Sequence, residues 1–130
     1  MSTPNELERQ HTLSTATTRY DELRMRDALA TMAEGDQAPL SPAEVLELLA
    51  LSEVVIRKAG YGRQTMVRSA RAAGASWAQI GAALGTTKQA AWEAHNRWIE
   101  DQARQHDSTG YSGLDASQAA AARDLAGGLD

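Results

Sequence analysis

Lys88, Gln89 and Glu93 fall close together in a stretch of helical composition. They offer an ammonium donor, an amide that both donates and accepts, and a carboxylate acceptor. Together such groups can meet a hydrogen-bonding edge. Arg63, Arg68, Arg71 and Arg97 add forked cations suited to phosphate or carboxylate oxygens. Catalytic and metal chemistry have no comparable set. None of His11, His95 and His106 sits four residues from another, and no carboxylate pair completes a ligand group with them. Cysteine is absent, which removes disulfides, thiolate metal sites and a cysteine nucleophile. No serine stands in a nucleophile-elbow sequence. These residues argue for recognition, with no enzyme activity, no cofactor, no metal and no evident small-molecule ligand.

The elements that must position this set lie in Ser76–Trp92. Ser76 is an N-cap with Gln79 three residues on, a capping box worth roughly 1 kcal/mol. Ile80 and Leu84 are four apart and share a face expected to be buried. Gly81 leaves room for a second helix to approach. Gly85 suits the left-handed residue that ends a helix. Thr86 or Thr87 caps the next helix, and Thr86 has Gln89 as a return partner three residues on. A small residue, a turn glycine, a polar cap and an Ala-rich amphipathic helix together have the form of a helix-turn-helix.

The sequence Ser-Trp-Ala-Gln-Ile-Gly-Ala-Ala-Leu-Gly-Thr-Thr-Lys-Gln-Ala-Ala-Trp resembles the DNA-reading unit of bacterial helix-turn-helix regulators, including those similar to sigma-factor region 4. The resemblance is strong over about twenty residues and reaches about fifty with the preceding Arg-rich helix. It implies that Ile80, Leu84, Ala91 and Ala94 are core, and that Thr87, Lys88, Gln89, Glu93 and Asn96 face DNA. Thr86 and Ala91 depart from it, standing where that family usually carries a branched apolar residue. Only the first two turns of such a helix enter a major groove, so Lys88, Gln89 and Glu93 are the foremost base-reading candidates. Lysine suits guanine, glutamine adenine, and a carboxylate the cytosine amino group. Arg63, Arg68 and Arg71 on the preceding helix, with Ser76, Thr86 and Arg97, are the candidates for phosphate contact.

The 130 residues lean on Ala and Leu, contain no Phe and have few β-branched runs, which favours helix throughout. The net charge of −4 is unevenly spread. Residues 1–56 hold four Arg/Lys against ten Asp/Glu, residues 57–104 eight against three, and residues 105–130 one against four. The positive block contains the motif, and attraction to phosphate depends on the local face because salt screens beyond about 10 Å. No apolar run approaches the roughly 18 residues that span a bilayer, and the N-terminus has no basic-then-apolar signal. A cytoplasmic, nucleoid-associated protein with no membrane contact is the expectation.

Along the chain, residues 1–12 are expected as a mobile arm. The run Thr12–Thr18 is a poor helix former, so a helix is expected from about Arg19 to Glu34, ended by Gly35–Pro39. Its apolar stripe is Tyr20, Leu23, Met25, Leu29, Ala30 and Met32. Ser41-Pro42-Ala43-Glu44 is a strong helix start. Val45, Leu49, Ser52, Ile56 and Ala59 form one face of the helix that follows, broadened by Leu46, Leu48 and Val55. One long helix bent or interrupted near Gly60 is expected, because Met66, Val67 and Ala70 resume the phase. The recognition helix is expected to run from about Thr87 to Gln105, with Trp98 in the core and Trp92 against the earlier helices or a second subunit. Residues 106–113 read as a linker, and the short Ala-rich helix after Asp115 is expected either to dock through Leu114, Ala121 and Leu125 or to fray, with a lean towards fraying.

The expected fold is all-α: a small helical bundle with a C-terminal helix-turn-helix and long supporting helices. Its divisions are an arm (1–12), an acidic supporting or dimerising region (13–59), a DNA-binding region (60–105) and a tail (106–130). The expected function is sequence-specific binding of double-stranded DNA in transcription regulation. The partner copy of a homodimer would join through Tyr20–Met32 and Val45–Ile56. The rival readings are a protein-binding adaptor of the transcription machinery and a low-specificity packaging protein.

Overall fold

The computed structural model describes residues 2–32 and 38–129. Among the described residues it is all-helical, with seven helices: α1 (Pro4–Gln10), α2 (Leu13–Ala30), α3 (Pro42–Tyr61), α4 (Arg63–Ala72), α5 (Trp77–Leu84), α6 (Lys88–Thr109) and α7 (Ala116–Ala126). They divide into two compact units, Met1–Gly62 and Arg63–Asp130. The long helix expected to be bent or interrupted near Gly60 is interrupted at Gly62, which caps α3.

The first unit is built from α1, α2 and α3. Within the expected arm, Pro4–Gln10 form α1. Thr3 caps α1 through its hydroxyl, Pro4 opens the helix, and Leu7 is buried. The helix expected from Arg19 begins six residues earlier, at Leu13. Thr12 and Thr15 form a reciprocal capping box, and the Thr17 and Thr18 hydroxyls donate to the carbonyls of Leu13 and Ser14. Threonine's poor propensity is offset by the capping box and by the burial of Ala16. The expected terminator Gly35–Pro39 and the helix end at Glu34 lie largely outside the described residues.

Leu7, Ala16, Leu23, Leu40, Ala50, Leu51 and Val54 form this unit's core. On α3, Ala50, Leu51 and Val54 point inward, while Leu49 and Ile56 of the expected apolar face are 61% and 67% exposed. Two residues along a helix turn it by about 200°, so the two sets lie on opposite sides of the helix. The choice follows from charge pairing. The Arg19 guanidinium bonds both oxygens of Glu47 at 3.0 Å, and Arg26 meets Glu44 at 2.8 Å. These pairs fasten α2 along the Glu44–Glu47 edge of α3, which turns Ala50 and Leu51 inward. Arg19 also holds the Glu47 carboxyl below its usual range.

The second unit contains α4 to α7 around Val67, Trp77, Ile80, Ala91, Ile99, Ala119, Ala122 and Ala126. The expected linker folds back on α6, with the Leu114 amide donating to the Gln102 carbonyl at 3.1 Å. A side chain at Gly113 would strike that same carbonyl oxygen. Helix α7 docks rather than fraying, and through Ala119, Ala122 and Ala126 rather than Ala121 and Leu125. Small alanines let it lie close, and two indole N–H groups bond its end: Trp77 to the Ala126 carbonyl at 2.8 Å and Trp92 to the Gly127 carbonyl at 2.9 Å.

Leu23 is completely buried in a core two of whose seven members are alanines. Leu23→Ala is expected to cost about 2–4 kcal/mol in urea denaturation followed by far-UV circular dichroism. A loss below about 1 kcal/mol would mean that this core is not packed as described.

Candidate nucleic-acid interface

The turn between α5 and α6 is made almost entirely by backbone geometry. Ser76 Oγ accepts the Gln79 amide at 3.1 Å, and Gln79 Oε1 accepts the Ser76 amide at 2.9 Å, completing the capping box. Gly85 sits at φ 72° and ψ 29°. The Thr86 amide donates to the Gly81 carbonyl at 2.8 Å and the Gly85 amide to the Ala82 carbonyl at 3.2 Å, the six-to-one and five-to-two bonds of a Schellman turn. At Gly81 the next helix passes so close that a Cβ would lie 2.8 Å from the Thr87 carbonyl carbon and 2.9 Å from the Lys88 nitrogen.

Thr87, not Thr86, caps α6, accepting the Ala90 amide at 3.0 Å. Gln89 does not return to Thr86; its amide donates to Glu93 Oε1 at 3.0 Å. Leu84, expected in the core with Ile80, is exposed. Thr86 through Ala90 are all exposed, as are Glu93 and Arg97. Arg63, Lys88 and Arg97 make no ion pair or side-chain hydrogen bond among the described residues. Asn96 is half-buried and donates to the Trp92 carbonyl at 2.8 Å. It also stands about 12 Å up the axis from Lys88 at 1.5 Å per residue.

Arg71 corrects the expected phosphate set. Its Nε donates to the Leu125 carbonyl at 3.3 Å and its Nη1 to the Ala75 carbonyl at 2.9 Å. The guanidinium also lies 5.1 Å from the Trp77 ring centre. It clamps the loop before α5 to the end of α7, which leaves its fork occupied. Arg68 is half-buried with its guanidinium 5.5 Å from the Trp98 ring centre. Ser76 and Thr86 stay exposed at the two ends of α5.

Behind the exposed surface lies a buried histidine. His95 is completely enclosed, stacked on Trp98 at 5.4 Å and tilted against Trp77 at 5.6 Å. Its Nδ1 is 3.0 Å from Gln64 Oε1, so the ring carries its proton there and donates to the amide oxygen. Burial, then the charges of Arg68 and Arg71, pull its pKa below the ordinary histidine value. The signal in the sequence was its place on the Ala91–Ile99 face; its partner Gln64 lies 31 residues away.

The charge balance is also redrawn. Arg57 belongs to the first unit, where it bonds Glu53 and Asn5. Residues 63–130 hold seven Arg/Lys against seven Asp/Glu. Arg104 pairs with Asp101 and Arg123 with Glu100, so the cations left on this unit's surface are few.

All three tryptophans lie in the second unit, so their fluorescence follows it alone. A histidine whose pKa falls on folding stabilises fully above its unfolded value of about 6.5, and that contribution shrinks as pH drops towards the lower folded value. The urea midpoint read by tryptophan fluorescence is expected to fall between pH 7.5 and 5, and to fall less in His95→Gln. Identical pH dependence in both chains would show that His95 is not held neutral. Gly81→Ala is expected to cost about 1–3 kcal/mol by overpacking, although alanine favours a helix interior by about 1 kcal/mol. A stabilised variant would mean that the turn is looser than described.

No protein-family model, curated protein or solved structure matches this chain, and the chemistry of the site follows from its own residues.

Proposed function

We propose that this protein binds double-stranded DNA through the start of α6, reading sequence in the major groove as a transcription regulator. The observation that carries the reading is the contrast at the α5–α6 turn. The backbone there is held to within contact distance at Gly81, yet Thr86, Thr87, Lys88 and Gln89 project outward, and the side chains of Lys88 and Gln89 have no bond to the body of the unit. A rigid platform bearing an exposed donor–acceptor set suits base-edge recognition. Lys88 and Gln89 are the base-reading pair, with Glu93 bonded to Gln89 and orienting its amide. Arg63 and Arg97 are the phosphate contacts, assisted by Thr86 and Ser76. The balanced charge of residues 63–130 weighs against indiscriminate packaging of DNA, which rests on phosphate attraction. It favours a modest affinity that doubling of the unit on paired half-sites would raise.

Selection from a random duplex pool tests this, followed by anisotropy titrations across salt. An enriched motif is expected. Lys88→Ala should lose about 1–3 kcal/mol on that motif and little on unrelated DNA. Arg97→Ala should weaken every sequence and reduce the salt slope by about one. Absence of binding at low salt to any duplex would refute DNA recognition and favour the adaptor reading.

A further inference from the structure

Helices α4 and α7 leave between them an open groove of about 360 Å³ in the second unit. Arg68 lines it from α4, and Leu114, Gln118, Ala121, Ala122 and Leu125 line it from α7 and the segment before that helix. This size lies at the small end of the range for small-molecule sites. The lining is aliphatic apart from Arg68 and Gln118, and no acidic side chain takes part in it. The Gln118 amide oxygen accepts the Asp115 amide at 2.9 Å, which leaves its NH₂ group unbonded. Arg68 is half-buried over the Trp98 ring and makes no ion pair or side-chain hydrogen bond among the described residues. Arg71, three residues on, has its fork closed on two carbonyls, and Arg68 has nothing comparable. A partly desolvated guanidinium whose five donors the chain leaves unmet is a place for an anion.

We propose that this groove binds a small apolar monocarboxylate, its carboxylate on the Arg68 fork beside Gln118 and its hydrocarbon body on Leu114, Ala121 and Leu125. Charge and wall chemistry together select that class. An ionised carboxylate only accepts hydrogen bonds, which matches the two donor groups, and its two-oxygen edge fits the planar fork. A neutral apolar molecule would cover Arg68 and strip its water without replacing the lost bonds. A dianion such as phosphate would bring a second charge against aliphatic walls, which one guanidinium does not balance. None of the six lining residues is a proposed DNA contact, so the groove is tested without DNA.

Amide NMR titration of the full chain with hexanoate tests the proposal, with hexanol and acetate as controls. Hexanoate is expected to bind at about millimolar concentration and to shift the amides of Arg68, Gln118 and Ala121 to Leu125. Hexanol lacks the charge and acetate the hydrocarbon body, and each should bind at least about tenfold more weakly. Arg68→Gln should weaken hexanoate about tenfold or more. Ala121 is exposed on α7, so Ala121→Trp should fill the groove and abolish the hexanoate shifts with far-UV circular dichroism unchanged. Hexanoate shifts that are absent up to tens of millimolar, or centred elsewhere, overturn the proposal. So does hexanol binding as tightly as hexanoate, or hexanoate binding undiminished by Arg68→Gln. Should Arg68→Gln fail to fold, Ala121→Trp decides, and undiminished hexanoate binding by that variant overturns the site.

Discussion

The second unit depends on the approach of one backbone to another at Gly81. The Thr87 carbonyl and Lys88 amide lie where a side chain on residue 81 would sit. That closeness sets the spacing of α5 and α6, and Gly85 supplies the left-handed turn that brings the chain round. Because the approach is backbone to backbone, it needs nothing from the side chains of Lys88 and Gln89. The exposed donor–acceptor set exists because the turn holds itself.

A second constraint works from behind. Three groups, Arg71, Trp77 and Trp92, send their donors to carbonyls at Leu125, Ala126 and Gly127. The last carbonyls of a helix need donors, and indole N–H groups need acceptors, so each satisfies the other. The end of α7 is thereby part of the unit. The neutral His95 fills the space between Trp77 and Trp98, where a charged imidazole would meet both burial and two guanidinium groups. This makes the support for α6 sensitive to acid.

The features legible in sequence are those settled within four residues. Ser76 with Gln79, Ser41 with Glu44, and Gly85 as a helix terminator depend on local backbone donors and conformations, and the structure carries each. Features settled by distant partners were not legible. An arginine fork looks the same whether it will meet phosphate or the carbonyl of Leu125, 54 residues on. Apolar periodicity alone does not say which apolar side of α3 faces α1 and α2. Glu44 and Glu47 mark the inner edge only once Arg19 and Arg26 are known to neutralise them. The early start of α2 was hidden by threonine's average propensity, which omits what capping contributes.

The surface proposed for DNA is narrow: the first turn of α6 and the few cations near it. Its most direct test is an amide NMR titration of the labelled chain with a short duplex drawn from random-pool selection. Shifts concentrated on Thr86 through Glu93, with α7 and the first unit little changed, are the predicted outcome. Shifts confined to other elements, or none at low salt, would contradict the assignment of α6 as the DNA-reading helix.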